Sequence, residues 1–331
     1  MSLVVDLRKH FTMAAVKQRL ERAALIQSTV MDLAFPPAAR TQYDSPVIPV
    51  SEIRQLAHVM PVVARGAASA PITASEMDNQ YVEPLPVRVH AVIKPVELNN
   101  LKLMGMGARE EWAGRKQEAL RGSIKKTLEV LCAQAVFDGA ISHPLLLASG
   151  AYADYSVTYG STPQTYVPAA TWDADDFKLT QLYGQLEDMD TLLEEAGYAG
   201  DRLIFAGKAA YVQALALAEA WVSQAGLKVE VSAEGARVGG YLIRKMAETY
   251  VHPATGVVTR KLGDKEIRMV AAGNHAFFYG PVDDLDANLQ AMPMFLKPVK
   301  GDDPSDLKIV AESKPLPAPS PQAVVKATVL A

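Results

Sequence analysis

Cysteine is almost absent: the 331-residue chain has one, Cys132. One thiol builds neither an intramolecular disulfide nor a cysteine-based zinc site, and it fits a reducing cytoplasm. Free cysteine usually behaves as a small buried hydrophobe, so Cys132 reads as inert packing rather than as a nucleophile. Long apolar runs are missing too. No uncharged stretch approaches the ~20 residues that span a bilayer, and residues 1–10 lack the apolar core of a secretion signal, so no membrane association is expected. Basic excess is also lacking. The net charge of −4 and the pI near 5.9 disfavour a grip on nucleic acid through the chain as a whole. What remains, 49% hydrophobic and 21% charged, supports a core and excludes wholesale disorder.

Catalytic and cofactor motifs fail one by one. Gly105-Met106-Gly107 meets Glu110 where a dinucleotide fingerprint needs a third glycine. Gly207-Lys208 is preceded by Arg202 at the position of the first phosphate-loop glycine and followed by Ala209. Asp284, Asp286 and Asn288 copy the opening of a calcium loop, but Leu289 stands at the sharp-turn glycine and Phe295 at the terminal carboxylate. Histidines 10, 58, 90, 143, 252 and 275 have no second histidine three or four residues on, and none sits in a cluster with ligand spacing. Glu187, Asp188, Asp190, Glu194 and Glu195 form a solvated helix face rather than a carboxylate pair in apolar surroundings. No enzyme is expected, and no catalytic residue, cofactor site or metal site is assigned.

The chain does have an unusual order of parts. Residues 3–34 can form amphipathic helical pieces, with Leu20, Ala23, Ala24 and Ile26 near helical spacing and Pro36-Pro37 as a stop. From Pro36 to Pro95 nine prolines exclude a helix of useful length. Strand-like pieces fall at 46–50, 57–64 and 86–93, the last alternating cleanly. A two-stranded excursion of this length is not stable alone and needs another surface. Residues 109–137 then carry no proline, and Leu120, Ile124, Leu128, Leu131 and Ala135 form one helical stripe ended by Asp138-Gly139. Residues 140–171 read as loop and hairpin. Asp173 reads as the cap of a helix to about Ala196, with Phe177, Leu182, Leu186, Met189 and Leu193 on its apolar side. A strand at 202–205, a helix at 208–219 and mainly β structure over 227–282 follow. The close is strands near 294–299 and 306–312, a stiff proline-rich connector at 315–321, and a last strand at 323–330.

In this order the parts resemble the capsid protein E family, the lambda-like phage major capsid proteins of the HK97-like fold. The likeness rests on Val59–Gly66 with Ala70–Tyr81, on Gln80–Pro84 leading into Arg88–Pro95, on Arg109–Asp138, on Trp172–Asp176 followed by Leu203-Ile204-Phe205, and on Asp303–Ile309 with Glu312–Pro315. It implies an α+β chain: an N-terminal arm over 1–40, an extended loop over 41–95, a peripheral domain over 96–170 with its spine helix at 109–137, an axial domain over 171–282, and a return to the peripheral domain over 283–331. It further implies hexamers and pentamers forming an icosahedral shell around phage DNA, in a virion assembled in the host cytoplasm. The implied partners are other copies, a portal, a separate scaffolding protein (only about 40 residues precede the loop) and a decoration protein. Some relatives weld the shell from a loop lysine; residues 36–93 contain none, so a non-covalent shell is expected. Glu52, Arg65 and Glu76 are candidate subunit bridges. The rivals are an encapsulin-like shell with protein cargo and a soluble α/β enzyme.

Overall fold

The computed structural model describes residues 28–51, 79–103, 106–221, 227–301 and 307–331. Its helices are α1 (Thr29–Ala34), α2 (Pro95–Lys102), α3 (Met106–Asp138), α4 (Leu179–Glu195) and α5 (Lys208–Glu219). Its strands are β1 (Arg40–Gln42), β2 (Ile48–Ser51), β3 (Asn79–Val82), β4 (Val87–Ile93), β5 (Ala140–Leu146), β6 (Tyr152–Thr158), β7 (Gln164–Thr165), β8 (Arg202–Ala206), β9 (Val229–Ser232), β10 (Gly235–Val238), β11 (Tyr241–Lys245), β12 (Thr249–Val251), β13 (Val258–Arg260), β14 (Glu266–Ala271), β15 (Ala276–Tyr279), β16 (Phe295–Lys300), β17 (Leu307–Ser313), β18 (Pro315–Ala318) and β19 (Val324–Thr328). Two units divide the chain. The first takes Met1–Ile48, Glu83–Cys132 and Ala276–Pro317; the second takes Pro49–Val82, Ala133–His275 and Ala318–Ala331.

In the first unit α3 presents Ala113, Gln117, Leu120, Ile124, Leu128 and Leu131, all buried and three or four residues apart. The helix begins at Met106, three residues ahead of the expected start, and ends one beyond the expected Phe137. Gly139, in the second unit, closes it with φ +69° and its N–H on the Ala135 carbonyl at 3.1 Å. α1 stops at Ala34, two residues before Pro36. The expected helical pieces over 3–27 lie outside the described residues.

Two expectations are corrected in this unit. Among the described residues, 86–93 pair with no outgoing loop strand. β4 pairs antiparallel with β17, which pairs with β16 in a three-stranded sheet. The register sets Val89 against Ala311, Ala91 against Ile309 and Ile93 against Leu307, so the alternating apolar side of β4 finds a matching strand more than 200 residues away. β2 and β3, which pair with each other on either side of residues 52–78, fall in the second unit except for Ile48; the expected strand at 57–64 is outside the described residues. The proline-rich 315–321 is not a plain connector either. Pro315–Ala318 is a fully buried edge strand beside β15, which pairs parallel with β1. Pro315 and Pro317 are two apart and put their missing donors on one side, which an edge strand tolerates. α2 was not foreseen. It is eight residues long with two asparagines, and Pro95 at its first position supplies the start.

The second unit is built on a seven-stranded mixed sheet, β7-β19-β14-β8-β11-β10-β9. Its central strands β8 and β14 are buried on both faces, hence their nearly continuous apolar sequences. α4 and α5 cover one face; Leu182, Leu186, Met189 and Leu193 pack there with Ile204, Ile243 and Met269. On the other face Phe137 meets Phe205 edge-on at 5.4 Å, and Arg268 Nε donates to the Phe137 carbonyl at 3.0 Å. The Gly207-Lys208 step has a packing role. A Cβ on Gly207 would collide with the Gly263 carbonyl, and α5 starts immediately after it.

The cap of α4 is another correction. The helix starts at Leu179, not at Asp173. Trp172 N donates to the Val329 carbonyl at 2.7 Å and its indole N–H to Gln185 at 2.8 Å. Those bonds fix residues 172–177 as turns and commit the Asp173 carboxylate to the Ala331 N–H. Lys178 N–H donates to Gln181 Oε1 at 2.7 Å in its place. β19, from the closing segment, is the second strand of this sheet, next to β14.

Candidate functional site

The residues that could carry chemistry are occupied in holding the fold. Asp190 takes the Tyr241 hydroxyl at 2.8 Å and pairs with Arg202; Asp188 takes the Tyr166 hydroxyl at 2.8 Å. Burial and the Asp188 bond push the Tyr166 phenol up to about 12. An open cleft of about 610 Å³ at the starts of β8 and β11 is lined by Tyr183, Glu187, Arg202, Arg237, Tyr241 and Arg244, with no nucleophile beside a base. Among the described residues no group of three or more His, Cys, Asp or Glu could hold a metal ion, and no helix is long and apolar enough to cross a membrane. Cys132 is buried. Asp284 and Asp286, from the failed calcium loop, both reach Lys297. Burial alone would raise the Asp284 carboxyl; Lys297 and the Asp286 N–H outweigh it and hold the group below the usual carboxylate range. Of the histidines, His10 and His58 lie outside the described residues and His90 is exposed. His143, lowered by burial and then by His252, stays within the second unit.

What stands out instead is a set of clasps around α1 and an apolar surface left uncovered. The Glu129 carboxylate, on α3 and buried, accepts from the N–H groups of Val30 and Met31 at 2.8 Å each. These are the free donors at the start of α1, where a negative group is favoured. Arg40 reaches back to the Phe35 and Met31 carbonyls and to Asp32, and Lys125 lies 3.7 Å from the same carboxylate. Burial would raise Asp32, but Arg40, Ser28 and Lys125 hold it low. α1 is therefore tied down at both ends. No sequence motif marks Glu129, which reads as one more acid on a helix until its depth is known.

Part of the uncovered apolar surface lies on two hairpins. Among the described residues β12 and β13 pair only with each other, and Val251, directly opposite Val258, is exposed along with it and with Val257. The turn between them falls at Pro253–Gly256, as expected. The β5–β6 hairpin likewise exposes Leu146, Leu147 and Tyr152 near its tip. Glu52, Arg65 and Glu76 lie outside the described residues, so the subunit bridges proposed for them have no geometry here.

A family model for the phage major capsid protein E matches residues 12–329. No curated protein matches the chain. Among solved structures, one described as a prophage capsid protein of Escherichia coli CFT073 is 14% identical, with a TM-score of 0.65 over 96% of this chain and 99% of that one. A phage-related protein of Bordetella bronchiseptica RB50 is 11% identical, with a TM-score of 0.51 over 96% of each chain.

Proposed function

The chain belongs to the phage major capsid protein E family, and from that premise we propose that its copies assemble as hexamers and pentamers into the icosahedral head of a tailed phage, enclosing double-stranded DNA. Its fold is the HK97-like capsid fold, its role is to form a shell, and its place is the virion. The observation that carries the finer reading is the β12–β13 hairpin. A two-stranded hairpin with an exposed Val251–Val258 pair is not stable by its own burial and gains it from a neighbour. Repeated around a closed ring, a modest contact of this kind becomes strong by multiplicity.

The proposed division of labour follows. Residues 171–282, with the hairpin, form the axial domain at the centre of each capsomer, and β19 completes their sheet. Residues 96–170 with the returning 283–331, β19 excepted, form the peripheral domain at local threefold axes. The arm over 1–40 and the loop over 41–95 reach a neighbour from anchors in their own chain, α1 and β1 for the arm and β4 for the loop. Assembly in the host cytoplasm uses a separate scaffolding protein and a portal, and a decoration protein pairs with open strand edges of the loop or arm. The role is structural rather than catalytic. A Val251→Glu, Val258→Glu variant tests the carrying observation: it is expected to keep the wild-type circular dichroism and lose shell formation. Shells at wild-type yield from that variant would remove the hairpin from the contact.

A further inference from the structure

The loop from Val282 to Ala291, in the first unit, holds two leucines in solvent at a high conformational cost. Leu285 is 83% exposed and Leu289 55% exposed. Asn288 and Leu289 take φ of 52° and 54°, and among the described residues they are the non-glycine positions with positive φ. Glycine adopts that backbone freely; leucine does not. The surroundings over-determine it. Asp284 accepts from the Asp286 N–H, Leu289 N–H bonds the Asp284 carbonyl, Val282 N–H bonds the Gln290 carbonyl, and Ala291 N–H bonds Asp44. Beneath the loop, Val282, Ala287 and Phe295 form a small core. Asp283 and Asp286 stand outward while their cations, Lys314 and Lys297, lie below, so the rim around the leucines presents carboxylate. The result is a rigid apolar knob with an acidic rim, and a rigid knob loses little freedom on docking.

A surface of opposite character sits elsewhere in the same unit. On α2, Val96 and the capping residue Leu103 are seven positions apart, hence on one face, and are 69% and 89% exposed. Val92, near the end of β4, and Lys94 are exposed just ahead of the helix, and Glu97 within it is paired with Lys116. The three-stranded sheet fixes the relation of the two. The knob leads into β16 at Phe295, in the row Phe295–Glu312–Arg88. The patch follows β4 at Ile93, in the row Lys300–Leu307–Ile93. Two strand spacings and five residues put these corners roughly 20 Å apart on the sheet diagonal. Complementary patches on opposite corners of one chain are what a head-to-tail contact between identical copies needs.

We propose that the Leu285–Leu289 knob of one copy docks on the Val92–Val96–Leu103 patch of the next, with Asp286 facing Lys94. This rests on the shell-forming role and names one of its contacts. The test is a disulfide trap in assembled shells. A Leu285→Cys, Val96→Cys double variant, oxidised after assembly, is expected to give a ladder of linked chains on a non-reducing denaturing gel, while each single variant runs as monomer; Cys132 is buried. In parallel, Lys94→Glu is expected to cut shell yield at least tenfold, and adding Asp286→Lys to restore it. Absence of a ladder together with normal yield from Lys94→Glu overturns the contact while leaving the shell function in place. Linked dimers from a single variant would also overturn it, since they mean the knob meets its own copy. A wild-type sample without shells would overturn both.

Discussion

Two buried side chains show how single residues set the behaviour of the first and second units. Glu129 satisfies two backbone donors that would otherwise be buried and unpaired. Glu129→Ala is therefore expected to cost about 2–4 kcal/mol, with Glu129→Gln, which keeps one acceptor, costing less than half as much. Urea unfolding with an unchanged slope and a lower midpoint checks this; an unchanged midpoint would reject it. His275 is buried, accepts from Ser320 N–H at 3.3 Å, and is lowered by burial to about 4. Its folded value lies below the unfolded 6.5, so the unfolded chain binds the proton first. The stability it contributes is complete above about pH 6.5 and is lost as pH falls towards 4, on the order of 3 kcal/mol in total. His143 shifts in the same direction. The melting temperature of the wild type should fall over that window, and that of His275→Gln should fall less; parallel profiles would exclude the histidine. Asp32 and Asp284, both held low, add their losses only below the ordinary carboxylate range.

At the scale of elements, the long helix is the clearest case. Gly122 lies inside α3 with open space where a Cβ would go. Gly122→Ala is expected to stabilise by about 1 kcal/mol, read as a rise in melting temperature; a fall would mean that the space is needed by a neighbour. Elements with strong periodicity were legible from sequence. The stripe from Leu120 to Leu131, the run of β8 and the bounds of α5 all follow from patterns that local sequence carries. Other features depended on distant partners. Asp173 has every local mark of a helix cap, but its carboxylate goes to Ala331, 158 residues on. β4 alternates like a hairpin strand, but its partner is β17. The prolines of β18 read as a break because their edge position cannot be known in advance. The knob was hidden for a similar reason. Asp284, Asp286 and Asn288 looked like a defective calcium loop, and only the left-handed backbone and the Lys297 pairing show that the leucines are held outward.

The whole molecule makes sense as a unit of a larger object. The hairpins and the knob carry apolar surface that one chain leaves in water, and a family that builds shells supplies the neighbours. The acidic net charge suits the proposed wall, which would enclose DNA without gripping it. Lysine is absent from residues 36–93, so the joins made by that loop are expected to be non-covalent. Negative-stain electron microscopy of the purified wild-type protein tests the central claim most directly, with the same sample boiled in detergent and run on a gel. The account predicts closed shells or capsomers of uniform size that dissolve to one band at 35.7 kDa. Uniform monomer-sized particles at every concentration would contradict it.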